Sequence, residues 1–259
     1  MDLELDGKTA VVTGASKGIG LAITKALAAE GAHVVAAARG NTPELDALSA
    51  SGKVTTVLLD LADPRGPARL VDSAGARVDV LVNNVGSAHP RVDGFLHVTD
   101  ADWVETLNLN LLTAVRMCRA VLPGMVAAGG GVIVNTGSAN AVLPDPTVVD
   151  YSAAKAALTS LAKSLSKEFG PKGVRVNTVA PGPVATDLWL GPDGVARTLS
   201  EAVGRTPESI QAAAVAGTAT GRFTRPEEVA DLVLFLAGAR GANITGATVA
   251  IDGGLISTI

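Results

Sequence analysis

Lys8-Thr9-Ala10-Val11-Val12-Thr13-Gly14-Ala15-Ser16-Lys17-Gly18-Ile19-Gly20 is an apolar run, a glycine-rich turn and the opening of a helical pattern. Glycines lack a Cβ, so a backbone of this kind turns tightly and approaches a pyrophosphate, whose charge sits among the unpaired N–H groups of the helix start. Gly14, Ser16, Lys17, Gly18, Ile19 and Gly20 are therefore candidate cofactor contacts. The spacing departs from G-x-G-x-x-G, since three residues separate the first two glycines, and an ordinary tight turn remains an alternative. Gly14-Ala15-Ser16-Lys17-Gly18 also satisfies G-x-S-x-G, a nucleophile elbow. That elbow needs a later acid and then a histidine, and the last histidine is His97, with 162 residues after it.

Working outward, short runs of Val, Ala, Ile and Leu recur at 8–13, 33–38, 54–59, 79–82, 132–135, 174–179 and 247–251. Each is apolar almost throughout, as a strand covered on both faces of a parallel sheet must be. Helical patterns at 18–30, 102–128, 151–169 and 226–238 separate some of them, the last opening on Arg225-Pro226-Glu227-Glu228, where proline suits the first helical position and acids suit the positive helix end. The expectation is an α/β fold: one doubly wound parallel sheet with helices on both faces, in a single domain spanning 1–259. The helices at 107–126 and 153–165 are apolar on several faces, which predicts burial against the sheet on one side and a second subunit on another.

The composition excludes several classes. Lys+Arg 21 against Asp+Glu 25 gives a formal charge of -4, no field for nucleic acid or an anionic membrane. Apolar runs such as 232–238 fall short of the roughly 20 residues that span a bilayer, and the acidic start Met1-Asp2-Leu3-Glu4 is no signal peptide, so a cytoplasmic protein is expected. The single Cys118 cannot form an internal bridge and reads as a buried, inert thiol. The three histidines lack metal-pair spacing, so no metal is expected.

About 20 residues past the glycine turn, an acid would bind the ribose hydroxyls of NAD and an arginine the extra phosphate of NADP. The second strand ends Ala36-Ala37-Ala38-Arg39, without an acid, so Arg39 and Lys17 favour NADP(H) over NAD(H). The one tyrosine, Tyr151, stands four residues before Lys155, on the same helix face. A cation about 4 Å from a phenol, at an effective dielectric near 20, lowers its pKa by roughly three units, enough for general acid/base work. A bland surface contact is the alternative for the pair alone.

Thr13 to Gly20, Asn83-Asn84-Val85-Gly86, Asn110, Ser138, Tyr151 with Lys155, and Pro181-Gly182 fall in order at the separations of one family, and end to end the chain resembles a short-chain dehydrogenase/reductase. The resemblance implies a Rossmann-type domain with about seven strands, assembled as a homotetramer, with a dimer as the smaller possibility. It makes Tyr151 the general acid/base, has Ser138 hydrogen-bond the substrate oxygen, and gives Lys155 the nicotinamide ribose. It assigns Asn110 a water beside Lys155, Asp60 the adenine amino group, and Asn83 the adenosine side of the cleft. Leu61, Gly86, Pro181 and Gly182 also fall along the coenzyme, and Val184 and Thr186 meet the carboxamide.

Val85 stands where alanine is common in the family, and no loss of activity is expected from it. Substrate choice is expected in an insertion at 186–224, where Leu188, Trp189 and Leu190 hint at an apolar carbonyl or alcohol; Trp189 packing on its own subunit is the other reading. Relatives reducing acyl-carrier-protein thioesters place basic residues before the fifth strand, where this chain has Ala127-Ala128-Gly129-Gly130-Gly131; Lys172 alone is a weak substitute. A small-molecule carbonyl reductase is expected, resembling 3-oxoacyl-ACP reductases in overall pattern. The alternatives are such a reductase itself and a non-catalytic dinucleotide sensor.

Overall fold

The computed structural model describes residues 1–75 and 77–258. Besides short 3-10 turns, the order is β1 (Thr9–Thr13), α1 (Gly18–Ala29), β2 (His33–Ala38), α2 (Pro43–Ala50), β3 (Val54–Leu58), α3 (Gly66–Ser73) and β4 (Val80–Asn83). Then come α4 (Asp100–Leu107), a π turn (Asn108–Leu112), α5 (Thr113–Ala127), β5 (Gly131–Thr136), α6 (Val149–Phe169) and β6 (Val174–Pro181). The chain finishes with α7 (Asp187–Leu190), α8 (Val195–Val203), α9 (Pro207–Ala216), α10 (Pro226–Ala237) and β7 (Thr248–Ile251).

The strands form one parallel seven-stranded sheet in the order β3-β2-β1-β4-β5-β6-β7. Consecutive residues of each strand point to opposite faces. Val12, Val34 and Val82 meet Ile23 and Leu27 of α1 and Val233 of α10, whereas Val11, Val35, Leu81 and Ile133 meet Leu70 of α3 and Met117 and Met125 of α5. Both faces of the central strands are covered, so β1, β2 and β4 are apolar almost throughout; each such buried side chain contributes roughly 1.5–3 kcal/mol. The strand order reverses between β1 and β4, and a doubly wound sheet opens a crevice at that switch point, beyond the strands' carboxyl ends.

Three local expectations need correction. The helix read at 102–128 is two helices joined by the π turn. The segment at 186–224 is not irregular: it holds α7, α8 and α9, and its ends are tied by Ala185 N–H donating to the Thr224 carbonyl and Thr224 N–H to that of Pro183, both at 2.9 Å. β3 ends at Leu58, two residues before Asp60. The stretch Asp100–Ala127 is, among the described residues, long and apolar enough to cross a bilayer, more than the separate apolar runs suggest; 44% of its most apolar window is buried, with Met117, Val121 and Met125 in the core.

Candidate active site

Gly14 leaves β1 with φ of +67°, a conformation side chains disfavour, and a Cβ on Gly20 would strike the Gly14 carbonyl. The turn therefore lies directly over the start of α1. That first turn holds no acidic residue, and its cap, Lys17, makes no side-chain bond to it, so its N–H groups face the crevice unneutralised. Ser16 and Ile19 are half-buried and Lys17 exposed. The Ser16 carbonyl accepts from Thr42 Oγ1 at 3.4 Å, which ties the turn to the loop carrying Arg39. Arg39 is exposed and makes no hydrogen bond or ion pair among the described residues.

Asn84, quoted in a motif but given no role from sequence, staples three strand ends together. Its Nδ2 donates to the carbonyls of Thr13 and Gly14 at 3.0 and 3.2 Å, and its Oδ1 accepts from Thr136 Oγ1 at 3.3 Å. Thr13 Oγ1 in turn accepts from the N–H groups of Asn84 and Val85. The Asn83 side chain is buried under the sheet, with Nδ2 donating to Asn135 Oδ1 at 2.9 Å. Asp60 is exposed and accepts from the Ala62 N–H at 2.9 Å, while Leu61 is buried in the α5 layer.

Gly86, Asn110 and Lys155 do converge. A Cβ on Gly86 would stand 2.7 Å from Asn110 Oδ1 and 3.2 Å from Lys155 Nζ. Asn110 lies in the π turn, whose extra residue re-aims side chains. Its Oδ1 accepts from Ser87 N–H at 3.1 Å, and its Nδ2 donates to the carbonyls of Ser87 and Thr106 at 3.0 and 3.1 Å. Lys155 is 3% exposed and donates to the Thr136 carbonyl at 2.9 Å, with no carboxylate in ion-pair range among the described residues. Burial pushes its ammonium down to about 8.

Tyr151 lies in the first turn of α6, with Lys155 Nζ 5.5 Å from its ring centroid. Burial raises the phenol above its ordinary value, and the Ser138 hydroxyl at its side offsets part of that. The depression toward neutrality expected from the sequence is thus not what this arrangement produces: burial outweighs what lowers the phenol, and the ammonium is engaged by the Thr136 carbonyl. Ser138, just past β5, is buried and accepts from the Asn140 N–H at 3.1 Å.

β6 ends at Pro181, and the chain continues through Gly182 and a buried Val184 to Thr186, whose methyl would be 3.1 Å from a Cβ on Gly18. The segment after β6 therefore meets the glycine turn across the crevice. Trp189 packs edge-on against Phe223, ring centroids 5.8 Å apart, as its alternative reading had it. Cys118 is buried, its thiol pushed up to about 12.

A family model described as enoyl-(acyl carrier protein) reductase matches residues 14–256. D-threitol dehydrogenase of Mycolicibacterium smegmatis is 38% identical, covering 98% of this chain and 94% of its own. The chain belongs to the short-chain dehydrogenase/reductase family. As a member it is an oxidoreductase acting on alcohol and carbonyl groups. Another short-chain dehydrogenase/reductase, the 3-oxoacyl-[acyl-carrier-protein] reductase of Vibrio harveyi, is 34% identical over 98% of this chain and 99% of its own. The crystal structure of L-sorbose reductase from Gluconobacter frateurii, complexed with NADPH and L-sorbose, superposes with a TM-score of 0.91 at 34% identity, covering all of both chains.

Proposed function

We propose that this short-chain dehydrogenase/reductase interconverts a small ketose or related hydroxy-ketone and its polyol with NADP(H), with Tyr151 as the proton donor and acceptor. The observation that carries the reading is Lys155, a buried lysine with no carboxylate partner among the described residues, held beside the only tyrosine of the chain at the open end of the sheet. The bare first turn of α1, Gly14 and Gly20 suit the pyrophosphate, and Arg39 and Lys17 offer cations to the 2′-phosphate. Val184 and Thr186 fall at the carboxamide, and Pro181, Gly182, Gly86, Asp60 and Leu61 complete the coenzyme contacts carried over from the family. Asn83, its side chain turned to Asn135, is kept for the adenosine side through its backbone.

When bound, the nicotinamide supplies or accepts the hydride. In reduction, the Tyr151 hydroxyl donates its proton to the carbonyl oxygen that Ser138 also holds, and burial keeps the phenol in the protonated form this step needs. Lys155 holds positive charge beside the developing phenolate and, with Asn110 next to it, lies on the route by which a proton returns to Tyr151. In oxidation the same proton moves from alcohol to phenolate.

The relatives acting on threitol and sorbose support a polyhydroxy substrate. The acyl-carrier reading has less behind it: an acidic carrier meets no cation at Ala127 to Gly131, and Lys172 lies over the Phe169 ring, 4.7 Å from its centroid. The homotetramer implied by the family is supported by the outer face of α5 and α6, where Val115, Leu122, Leu161, Leu165 and Phe169 line an apolar groove of about 520 Å³ suited to cover by a second copy. The test is loss of NADPH absorbance with L-sorbose, L-xylulose, diacetyl and an acetoacetyl thioester. Turnover of the ketoses supports the reading; turnover of the thioester alone, or silence throughout, overturns it.

A further inference from the structure

Val148, at the N-cap of α6, offers no side chain to the helix start, although that first turn carries Tyr151. The four leading N–H groups of a helix need outside acceptors. Asp150 supplies one: its Oδ1 accepts from the Tyr151 N–H at 3.0 Å. Its Oδ2 is held from elsewhere in the chain, by Arg91 Nε at 3.1 Å, by Arg91 Nη2, and by Thr106 Oγ1 at 2.7 Å. The Asp150 side chain is 2% exposed and that of Arg91 16%. Burial alone would raise the carboxyl, but Arg91 and Thr106 outweigh it and hold the group below the usual carboxylate range.

The same groups reach Asn110. Thr106, whose hydroxyl grips Asp150, accepts from Asn110 Nδ2 through its carbonyl at 3.1 Å. Arg91 Nη1 donates to Asp102 Oδ1 at 2.9 Å, and Asp102 is the residue whose other oxygen accepts from the Thr99 N–H at the start of α4. The Arg91 N–H donates to the Thr147 carbonyl just ahead of α6. Four residues earlier, Ser87 is bonded through both its N–H and its carbonyl to Asn110. The bonds close a ring: Asn110, Thr106, Asp150, Arg91, the loop back to Ser87, and Asn110 again. Tyr151 hangs from one side of this ring and Lys155, one helical turn on, from the same helix.

We propose that Asp150 and Arg91 are positioning residues, which fix the first turn of α6 against the π turn so that Tyr151 stands in register with Asn110 and Lys155. Neither touches the reacting atoms. The proposal rests on the assignment of Tyr151 as the proton donor. A buried pair bonded at every oxygen gives a sharp geometry at a high cost of disruption, and a displacement of about 1 Å in a reacting group lowers turnover by roughly a hundredfold.

The test uses the full-length enzyme with NADPH and whichever carbonyl of the panel above the parent turns over fastest. Asp150→Asn keeps the volume, but an amide has one acceptor oxygen where the carboxylate uses two. Thr106→Val removes only the hydroxyl. The readouts are kcat per titrated NADPH site and the Kd for NADPH, which separate misplacement of Tyr151 from a smaller folded fraction. Expected are losses in kcat per site of about thirtyfold for Asp150→Asn and at least about fivefold for Thr106→Val, with the NADPH Kd held within about twofold. Arg91→Lys, which keeps the charge without the fork, should fall between parent and Asp150→Asn. A loss smaller than about fivefold in both Asp150→Asn and Thr106→Val overturns the proposal; should Asp150→Asn yield no NADPH sites, Thr106→Val decides by the same threshold. Tyr151→Phe is run alongside. If it retains turnover, the assignment of Tyr151 fails and the positioning role with it; if it is inert while the others are unimpaired, only the positioning role fails.

Discussion

Lys155 of α6 donates its ammonium to the Thr136 carbonyl at the end of β5, 2.9 Å away, and so is anchored to the sheet and not to the phenol one turn before it. Held there and buried, the ammonium has a pKa of about 8. Reduction needs Lys155 charged and Tyr151 protonated. The kcat/KM for a ketone, which reports the free enzyme, is therefore expected to be level near neutral pH and to fall as pH rises through about 8, measured by NADPH consumption across a buffer series. Tyr151, raised by burial, titrates later and does not set that limb. A fall beginning on the acid side of neutrality would contradict this arrangement.

Asn84 replaced by Ala removes the bonds to Thr13, Gly14 and Thr136 while leaving the sheet registers intact. Each such bond contributes about 1 kcal/mol net, so Asn84→Ala should loosen the glycine turn and raise the NADPH Kd by about tenfold or more. Unchanged binding by fluorescence titration would mean that the turn holds its shape without the staple.

Arg39 has no protein partner to satisfy among the described residues, which leaves it free for a phosphate. Arg39→Ala is expected to weaken NADPH by roughly tenfold to a hundredfold and NADH by less than about twofold, since only the former carries the extra phosphate. Equal losses for both coenzymes would remove the discriminating role.

Leu161 lines the outer groove of α5 and α6 without belonging to either buried core cluster. Leu161→Glu places a charge where a second copy is proposed to sit, and the assembly should drop to a smaller species by light scattering, at little cost to the fold of each chain. An undiminished assembly would put the subunit contact elsewhere.

The strands are legible in the sequence because the central ones, such as β1, β2 and β4, are buried on both sides, which writes a continuous apolar run, whereas the edge strands β3 and β7 are only partly covered. α2, α3 and the helices of 186–224 are not: they are short and bury few residues, Leu45 alone in α2 and Ile210 alone in α9. The start of α9 was nonetheless written in Thr206-Pro207-Glu208, an N-cap whose hydroxyl accepts from the Ser209 N–H, followed by a proline at the first helical position. The π turn escapes periodicity because Leu107, Leu109, Leu111 and Leu112 surround the axis whichever pitch is assumed. Among the site residues, Tyr151, Lys155, Asn110 and Gly86 come together as their spacing and family pattern suggested. The structural part of Asn84 was not announced: strand parity sends the Asn83 side chain under the sheet and that of Asn84 to the strand ends it ties together. The roles of Asp150 and Arg91 depend on a contact 59 residues apart, which no local pattern announces.

If a phenol delivers the proton, deleting one oxygen atom must stop the chemistry and leave the coenzyme in place. Tyr151→Phe should retain NADPH binding within about twofold by fluorescence titration while its kcat for ketone reduction falls at least about a thousandfold. Near-parental turnover by that variant would contradict the role given to Tyr151.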